Sequence, residues 1–490
     1  MSTLIGERAS YLAGRWSSDG VPFEVENPAD EQPVCEVLGA SEADADEAIA
    51  GARRSFDSGV WADRDRRERA AAVSALCDYV ESLGDSLVAT MVAEAGQPTR
   101  FAETTQLRGG LSLARGLIDI YRSMSDEQVN QVPLDELTDG RLALSVRRWE
   151  PAGVVAAITP YNAAIIMAFQ KIVPALLAGN SVVLRPSPLT PISSLALGSA
   201  ADAAGIPPGV LSVVAEAGSA VAERLTQDPR VDMVSFTGST AVGKQILAQG
   251  AHTVKRVALE LGGKSAQIYL PDAVDRAPTG AAAVVAMTSG QACVAATRMF
   301  VPQESKDEVL AKVAGMYGAL AVGPPTEPTT LIGPVINASA RARCEHYVEL
   351  ATEYGGTVAF GGKRPAHLAH GYYFEPTVLD VPDNSNPAAR EEIFGPVLSV
   401  IGYRDLDHAV DMANDSIYGL SAQVYGTDVA SASAVARRLR SGAVNVNIGL
   451  FSAYAPGGGY KQSGLGRERG VDGIRAFQEL KHLAIGELRP

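Results

Sequence analysis

Between Pro151 and Leu261 the chain alternates short β-branched runs with longer helical stretches. Five runs have the length and composition of buried strands: Val154–Ile158, Ser181–Leu184, Leu211–Val214, Val231–Phe236 and Val257–Leu261. Between the first two runs lies a helical stretch, Ile165–Leu177, which is closed by Gly179. Strands that alternate with helices in this way form a parallel sheet with helices on both faces. The pattern therefore predicts an α/β fold with a doubly wound parallel sheet.

Four polar or turn-forming segments stand at or just past the ends of these predicted strands. They are Pro160-Tyr161-Asn162, Pro186-Ser187, Thr237-Gly238 and Glu260. Open α/β sheets bind ligands outside the carboxyl ends of their strands. We therefore expect the four segments to line one rim of the sheet and to form part of a binding site.

A chain of 490 residues is too long for one compact core. Helical spacing runs from Ser41 to Gly96 and on to about Met124, and a second α/β unit begins near Gly262. A hairpin with its turn at 138–141 interrupts the first unit. We predict two doubly wound domains, one at 1–128 with 148–261 and the other at 262–460. A small β arm is predicted at 129–147 with 470–490. From pattern alone, the hairpin is equally well explained as a surface feature.

Charge and residue counts exclude several classes of protein. A formal net charge of −14 disfavours nucleic acid and anionic membranes as partners. Four cysteines without a CxxC pair and six histidines without an HxxxH or HExxH grouping argue against a disulfide framework and against a metal site. No apolar run is long enough to span a membrane, and residues 1–20 lack the features of a signal peptide. We expect a cytoplasmic protein that binds neither membrane nor metal.

Cys293 and Glu260 are the residues best suited to chemistry. Cys293 lies among small residues, and Glu260 stands 33 residues upstream, before a Gly262-Gly263 pair. A thiol that attacks a carbonyl and a carboxylate that activates water are the two groups that covalent acyl transfer requires. The two residues fall on opposite sides of the predicted domain boundary, where active sites are common. An isolated cysteine is more often a small buried apolar residue, so pattern alone leaves that alternative open.

A glycine-rich segment at 238–244 spells G-x-x-x-x-G-K after a predicted strand. The next residue is Gln245, which has no hydroxyl to hold Mg²⁺, so nucleotide hydrolysis is rejected. The segment instead fits a glycine turn that leads into a helix, where free backbone N–H groups attract a pyrophosphate.

Six segments occur in the order and spacing of the NAD(P)-dependent aldehyde dehydrogenases, a family that the chain resembles over nearly its whole length. They are Pro160–Asn162, Phe236–Gly243, Leu259–Lys264, Ser289–Arg298, Glu391–Val397 and Gly459–Gly464. The resemblance implies that the first domain is a Rossmann-like dinucleotide-binding domain and that 262–460 is the catalytic domain. It also implies that the arm builds a subunit interface, so that a homodimer or homotetramer is expected.

The resemblance assigns catalytic roles beyond the cysteine and the carboxylate. It implies that Asn162 is the amide of an oxyanion hole, although on sequence alone Asn162 is better explained as a turn residue. It also implies that Lys171 and Glu468 relay protons to and from Glu260. An exposed ion pair, or two unrelated surface charges, explains Lys171 and Glu468 equally well.

The coenzyme residues are likewise implied by the resemblance. Ser239 and its glycine turn would contact the diphosphate, Glu392 the nicotinamide ribose, and Phe394 the nicotinamide. From pattern alone, Glu392 and Phe394 are also explained as a charge at a strand edge and a core aromatic residue. The positions expected to contact NAD or NADP are Thr159, Pro160, Arg185, Ser187, Gly238, Ser239, Gly243, Leu261, Glu392 and Phe394.

Two departures from the family pattern affect specificity. Where relatives often carry a ribose-binding Glu, this chain has Pro188, and Arg185 replaces the usual Lys. A guanidinium there could pair with a 2′-phosphate, so we expect NADP to be accepted. Ala163 and Gln170 stand where relatives often have bulky aromatics, which predicts a wider tunnel for an aldehyde that is mainly apolar.

The sequence therefore predicts an enzyme that oxidises an aldehyde to a carboxylic acid through a thiohemiacetal and a thioester on Cys293. A relative that transfers the acyl group to coenzyme A is the alternative enzyme, but such relatives generally lack a carboxylate at the Glu260 position. A catalytically silent binding or structural protein is the other alternative, and the joint presence of Cys293, Asn162 and Glu260 counts against it.

Overall fold

Four short strands open the described part of the chain, which in this computed structural model comprises residues 3–131, 143–449 and 451–486. They are β1 (Tyr11–Leu12), β2 (Arg15–Trp16), β3 (Val21–Asn27) and β4 (Gln32–Gly39). β1 and β2 join the edge of a large sheet, and β3 and β4 form a separate antiparallel pair. These strands are not evident from the sequence, because two of them are very short and the other two expose many of their side chains.

The helices expected between Ser41 and Met124 are present. They are α1 (Glu42–Asp57), α2 (Arg66–Ser82), α3 (Gly84–Ala95), α4 (Thr99–Phe101), a π-helix (Ala102–Gly109) and α5 (Gly110–Ser123). Ser41 caps α1, because its hydroxyl accepts from Asp44 N while the Asp44 carboxylate accepts from Ser41 N. α3 ends at Gly96, whose φ of 64° suits a left-handed helix cap.

The alternating region folds as a series of strand–helix units, and each predicted strand is present within two residues of its expected bounds. In chain order the elements are β5 (Glu127–Asn130), β6 (Ala143–Pro151), β7 (Val154–Ile158), α6 (Ala164–Ala178), β8 (Ser181–Arg185), α7 (Ile192–Ala203), β9 (Leu211–Val213), α8 (Ala220–Gln227), β10 (Met233–Thr237), α9 (Thr240–Gly250) and β11 (Arg256–Glu260). α6 ends at Gly179, which has a φ of 99°.

A second α/β unit follows. Its elements are β12 (Ala266–Tyr269), α10 (Ala277–Ala286), β13 (Arg298–Pro302), α11 (Lys306–Ala319), α12 (Ala338–Glu353), β14 (Thr357–Phe360), β15 (Thr377–Asp380), α13 (Pro387–Arg390), β16 (Val397–Tyr403), α14 (Leu406–Asn414), β17 (Ser421–Tyr425), α15 (Val429–Ala436) and β18 (Ala443–Val446). The chain ends with β19 (Gly464–Leu465), α16 (Gly470–Arg475) and β20 (Gln478–Gly486).

The first large sheet has the order β19-β11-β10-β7-β8-β9-β1-β2, and its five central strands are parallel. From β7 the chain moves outward through β8 and β9, then returns to β10 on the other side of β7. This reversal makes a topological switch point between β7 and β10, which is the usual ligand position in open α/β sheets. Both faces are buried, since Val155 packs against α6 while Val154 packs against Ile49 of α1.

The second large sheet has the order β14-β15-β16-β13-β12-β17-β18, and every neighbouring pair except β14 and β15 is parallel. The predicted α/β fold with two largely parallel sheets is confirmed. The segment after β18 returns to the first sheet, where β19 pairs antiparallel with β11 so that Gly464 lies opposite Glu260. That return brings residues from the C-terminal part of the chain to the end of β11.

A third sheet, of order β20-β6-β5, contains the two strands that flank the predicted hairpin turn and the C-terminal strand. The predicted turn at 138–141 lies within 132–142, outside the described residues. Leu480 and Ile485 of β20 are more than half exposed. The division of the chain into domains, and the interface role of this arm, stay predictions. No helix among the described residues has the length and apolarity needed to cross a membrane.

Candidate active site

The switch point brings together two threonines from neighbouring strands. Thr159 follows β7 and precedes Pro160, while Thr237 ends β10 and precedes Gly238. The hydroxyls of Thr159 and Thr237 are both buried without a hydrogen-bond partner in the part of the chain that the structure describes. Buried polar groups without partners are rare in proteins. The two hydroxyls therefore fit a polar ligand at this crevice.

The N-terminus of α9 lies beside the same crevice. Ser239 caps the helix by accepting a hydrogen bond from Val242 N at 3.3 Å. A Cβ added to Gly243 would lie 2.6 Å from the Leu261 side chain, so the glycine lets the helix approach Leu261 closely. The remaining N–H groups of the first turn suit an anion such as a diphosphate.

Arg185 ends β8 and is paired with a carboxylate that was not expected there. Its Nε donates to Glu216 Oε1 at 2.7 Å, and its Nη2 donates to Gly218 O at 2.5 Å. Glu216 Oε2 also accepts from Val221 N at 2.8 Å, at the start of α8. Ser187 is buried two residues beyond Arg185. The guanidinium at this rim is therefore charge-balanced within the protein.

Asn162 is buried and held by three glutamines. Its backbone O accepts from Gln97 Nε2 at 2.7 Å and from Gln106 Nε2 at 3.2 Å. Its side-chain Nδ2 donates to Gln291 O at 2.7 Å, two residues before Cys293. The amide donor thus lies beside the segment that carries the thiol, across the two α/β units.

Cys293 lies in a turn between α10 and β13. The helix ends at Ala286, and residues 288–290 have φ values of 43°, 56° and 73°. Consecutive left-handed residues cannot continue a right-handed helix. A Cβ on Gly263 would overlap the Cys293 carbonyl oxygen, so the glycine loop after Glu260 packs directly on the cysteine.

The thiol lies close to several carboxylates. Burial and, after it, the charges of Glu392, Glu260 and Glu468 raise the pKa of Cys293 to about 12. The thiol is therefore protonated at neutral pH in this state of the protein. A nearby base or cation is needed to generate the thiolate.

Glu260 is poised between opposing charges. Burial raises the pKa of its carboxyl well above the usual range, and Glu468 raises it further. Lys171, Arg467 and Arg469 lower it. A carboxyl group with a pKa near neutrality is suited to accept a proton and release it again.

Lys171 and Glu468 form a buried ion pair. The Lys171 Nζ donates to Glu468 Oε1 at 2.7 Å and to Ser235 Oγ at 3.2 Å. The side chains are 1% and 7% exposed, so the alternatives of an exposed pair and of unrelated surface charges are wrong. The charge of Glu468 raises the pKa of Glu260, and the charge of Lys171 lowers it.

Glu392 and Phe394 reach the site from the second α/β unit. Glu392 Oε1 accepts from Gly263 N at 2.9 Å, and a Cβ on Gly262 would overlap its Oε2. The Phe394 ring meets Tyr161 edge to face, with centroids 6.0 Å apart. The structure therefore brings these two residues to the same cleft as Asn162 and Cys293.

Several residues at the site were not expected from the sequence. They are Gln97, Gln106, Glu216, Arg467 and Arg469. Glu216 follows β9, so the rule that selected the other rim segments could have found it. The remaining four reach the site through contacts between distant parts of the chain, and no local pattern marks them. The described residues contain no group of three or more His, Cys, Asp or Glu placed to bind a metal.

Comparison with known proteins identifies the family. The sequence model of the aldehyde dehydrogenase family matches residues 16–483. Among curated relatives, the geranial dehydrogenase of Castellaniella defragrans is 38% identical over 478 residues, which cover 97% of this chain and 98% of the relative. The chain therefore belongs to the aldehyde dehydrogenase family and is an oxidoreductase.

Solved structures agree with this assignment. A mutant of aldehyde dehydrogenase C from Pseudomonas syringae, in complex with NAD⁺ and octanal, has a TM-score of 0.93 at 36% identity, covering 98% of each chain. Betaine aldehyde dehydrogenase from Staphylococcus aureus, in complex with NAD⁺, has a TM-score of 0.93 at 32% identity, covering 98% of this chain and 95% of the other.

Proposed function

We propose that the protein oxidises an aldehyde to a carboxylic acid with NAD or NADP, through a thioester on Cys293. The observation that carries the proposal is that the glycine loop after Glu260 packs directly on Cys293, with Gly263 against the Cys293 carbonyl oxygen. Mixing the protein with an aldehyde and either coenzyme should form reduced coenzyme and an equal amount of carboxylic acid. Absence of both products with aliphatic and aromatic aldehydes would contradict the proposal.

In the proposed reaction the Cys293 sulfur, as the thiolate, bonds to the carbonyl carbon, and the carbonyl oxygen becomes an oxyanion. The Asn162 Nδ2 and the Cys293 N–H are the donors that would stabilise it. Bound coenzyme would supply the acceptor for the hydride that leaves this carbon, so that a thioester remains on Cys293. Water then bonds to the thioester carbon, the C–S bond breaks, and the acid is released.

Glu260 is the proposed base for the attacking water. Its raised pKa lets it take a proton from water and pass it on. The buried Lys171–Glu468 pair would accept and return that proton, since Glu468 is close enough to act on Glu260. The Asn162 backbone carbonyl accepts a hydrogen bond from Gln97, which holds Asn162 in place without a bound substrate.

The coenzyme would lie across the β7–β10 switch point. The unpartnered hydroxyls of Thr159 and Thr237 and the start of α9 offer hydrogen bonds to a nucleotide and its diphosphate. Glu392 and Phe394 would hold the nicotinamide end. The other positions assigned to this role are Pro160, Arg185, Ser187, Gly238, Ser239, Gly243 and Leu261.

Transfer of the acyl group to coenzyme A is the second candidate reaction. Glu260 favours hydrolysis, because acyl transfer to a thiol does not need a base that activates water. Analysis of the product with and without coenzyme A separates the two reactions. An acid formed at the same rate in both cases supports hydrolysis.

We also propose that the arm of β5, β6 and β20 joins subunits into a homodimer or homotetramer. The exposed apolar side chains on β20 support this role. Light scattering after size exclusion would measure the mass in solution. A species of 51.2 kDa at micromolar concentration would contradict it.

A further inference from the structure

Arg469 brings a guanidinium to the candidate active site. Its Nη1 donates to Ser452 O at 3.3 Å. No carboxylate in the described part of the chain lies within ion-pair distance of Arg469, and its neighbour Glu468 is paired with Lys171. Arg469 nevertheless lies near three acidic groups of the site, since Glu468, Glu260 and Cys293 act on it electrostatically in that order. No other acceptor among the described residues bonds its side chain, so most of its five N–H donors are available for another partner.

Gly457 makes the space in which this guanidinium lies. A Cβ on Gly457 would overlap Arg469 Nη2 and come within 2.8 Å of its Nε. A Cβ on the next residue, Gly458, would come within 2.9 Å of Glu260 Oε1. The guanidinium and the base thus pack on successive glycines, so Arg469 lies beside the reacting groups.

The backbone of Arg469 is held in an unfavourable conformation. Its φ of 64° and ψ of 169° fall in a region that glycine favours and that other residues rarely adopt. Its guanidinium also lies 4.5 Å from the centre of the Phe451 ring, which is 53% exposed. The surroundings therefore fix the guanidinium between a glycine and an exposed aromatic ring.

We propose that Arg469 forms a subsite for an anionic oxyacid group, and that the preferred aldehyde carries a carboxylate or phosphate at the end of a short apolar chain. A guanidinium presents a planar pair of donors that matches such a group. Phe451 and the exposed Val294 beside the nucleophile would contact the apolar part. The inference rests on the proposed function, because it assigns a substrate class to the same site.

The alternative is that Arg469 only fixes the segment around Ser452. That role uses one donor, and the charge would then act only by lowering the pKa of Glu260. A purely structural arginine would affect all aldehydes alike. An anion subsite would affect only those that carry the negative group.

The test compares kcat/KM for straight-chain aldehydes of equal length that end in a methyl, a carboxylate or a phosphate. The wild type should prefer one of the anionic series by at least about 10-fold. Arg469→Gln should reduce that preference by about 10- to 100-fold, mainly through KM, as expected for a lost hydrogen bond to a charged group. Arg469→Lys should retain part of it.

Two further variants separate binding from general effects. Gly457→Ala should also reduce the preference, because the new Cβ displaces the guanidinium while leaving its charge. Arg467→Gln removes another cation that acts on Glu260, but Arg467 donates to Gly466 O at 2.6 Å instead of facing Gly457. The preference should survive in Arg467→Gln.

A second measurement does not need turnover. Iodoacetate is negatively charged and iodoacetamide is neutral, and peptide mass measures how fast each alkylates Cys293. The rate with iodoacetate divided by the rate with iodoacetamide should fall in Arg469→Gln. A wild type without preference for either anion, or a preference unchanged in Arg469→Gln, would overturn the subsite. If no aldehyde at all is oxidised, the proposed function fails, and the alkylation ratio still decides the role of Arg469.

Discussion

The guanidinium of Arg185 is bound by Glu216, a carboxylate that follows the neighbouring strand. The 2.7 Å bond from Arg185 Nε to Glu216 Oε1 is buried, and Glu216 is further fixed by the first N–H groups of α8. The expected pairing of Arg185 with a 2′-phosphate has therefore to compete with an existing ion pair. The negative charge of the Glu216 carboxylate would also repel that phosphate.

We accordingly expect NADP to be accepted but used less well than NAD. Glu216→Gln should raise the ratio of kcat/KM for NADP over NAD by about 10- to 100-fold, because it frees the guanidinium and removes one negative charge. Steady-state kinetics with both coenzymes measures the ratio, and thermal unfolding checks that α8 is intact. Arg185→Ala is the matched control, and it should lower the use of NADP. An unchanged ratio in Glu216→Gln would show that the adenosine ribose binds elsewhere.

The positions of the central strands could be predicted because they are buried on both faces. Such strands are continuous apolar runs, as in Val154–Ile158, and each is followed by a turn that marks the rim. Asn162 and Glu260 could be selected from that rim. The order of the strands, and with it the switch point between β7 and β10, needs the structure, since it depends on pairing between distant segments.

Other features could not be predicted because they depend on contacts across the chain. The turn that carries Cys293 arises from three left-handed residues, whose conformation is fixed by packing rather than by composition. The place of Arg469 depends on its contact with Gly457. The pairing of Lys171 with Glu468 joins residues 297 positions apart, and no local pattern indicates it.

Cys293→Ala should abolish aldehyde oxidation and leave coenzyme binding nearly intact. The thiol is the only group proposed to form the covalent bond, whereas the coenzyme residues around Thr159 and Ser239 belong to the other sheet. Rates of coenzyme reduction and titration of coenzyme binding test the two parts. Cys35→Ser is the matched control, because Cys35 is a half-buried cysteine in β4, and it should keep its activity. Activity above a few per cent in Cys293→Ala would contradict the assignment of the nucleophile.

Glu260→Gln should allow one round of hydride transfer and then stall, because an amide cannot take a proton from water. Loss of a general base usually costs about 10²- to 10⁴-fold. The pKa of Glu260 is raised to about 8, so the carboxylate forms as the pH rises, and the wild-type steady-state rate should increase through that pH and then level off. Rapid mixing of the variant should show a burst of reduced coenzyme followed by a slow phase. The rate of that slow phase should not increase with pH as the wild-type rate does. A steady state as fast as that of the wild type would mean that another group activates the water.

Lys171→Met should destabilise the protein strongly, because it leaves the Glu468 carboxylate buried without its partner. Breaking a buried pair in this way typically costs about 3–5 kcal/mol, whereas replacing both members by apolar residues is often nearly neutral. The double variant Lys171→Met with Glu468→Leu should therefore recover most of the lost stability in chemical denaturation. Lys312→Met is the matched control, since Lys312 pairs with Asp275 at an exposed site, and it should change the stability far less than Lys171→Met. If the double variant were as unstable as Lys171→Met, lost packing rather than unpaired charge would explain the effect.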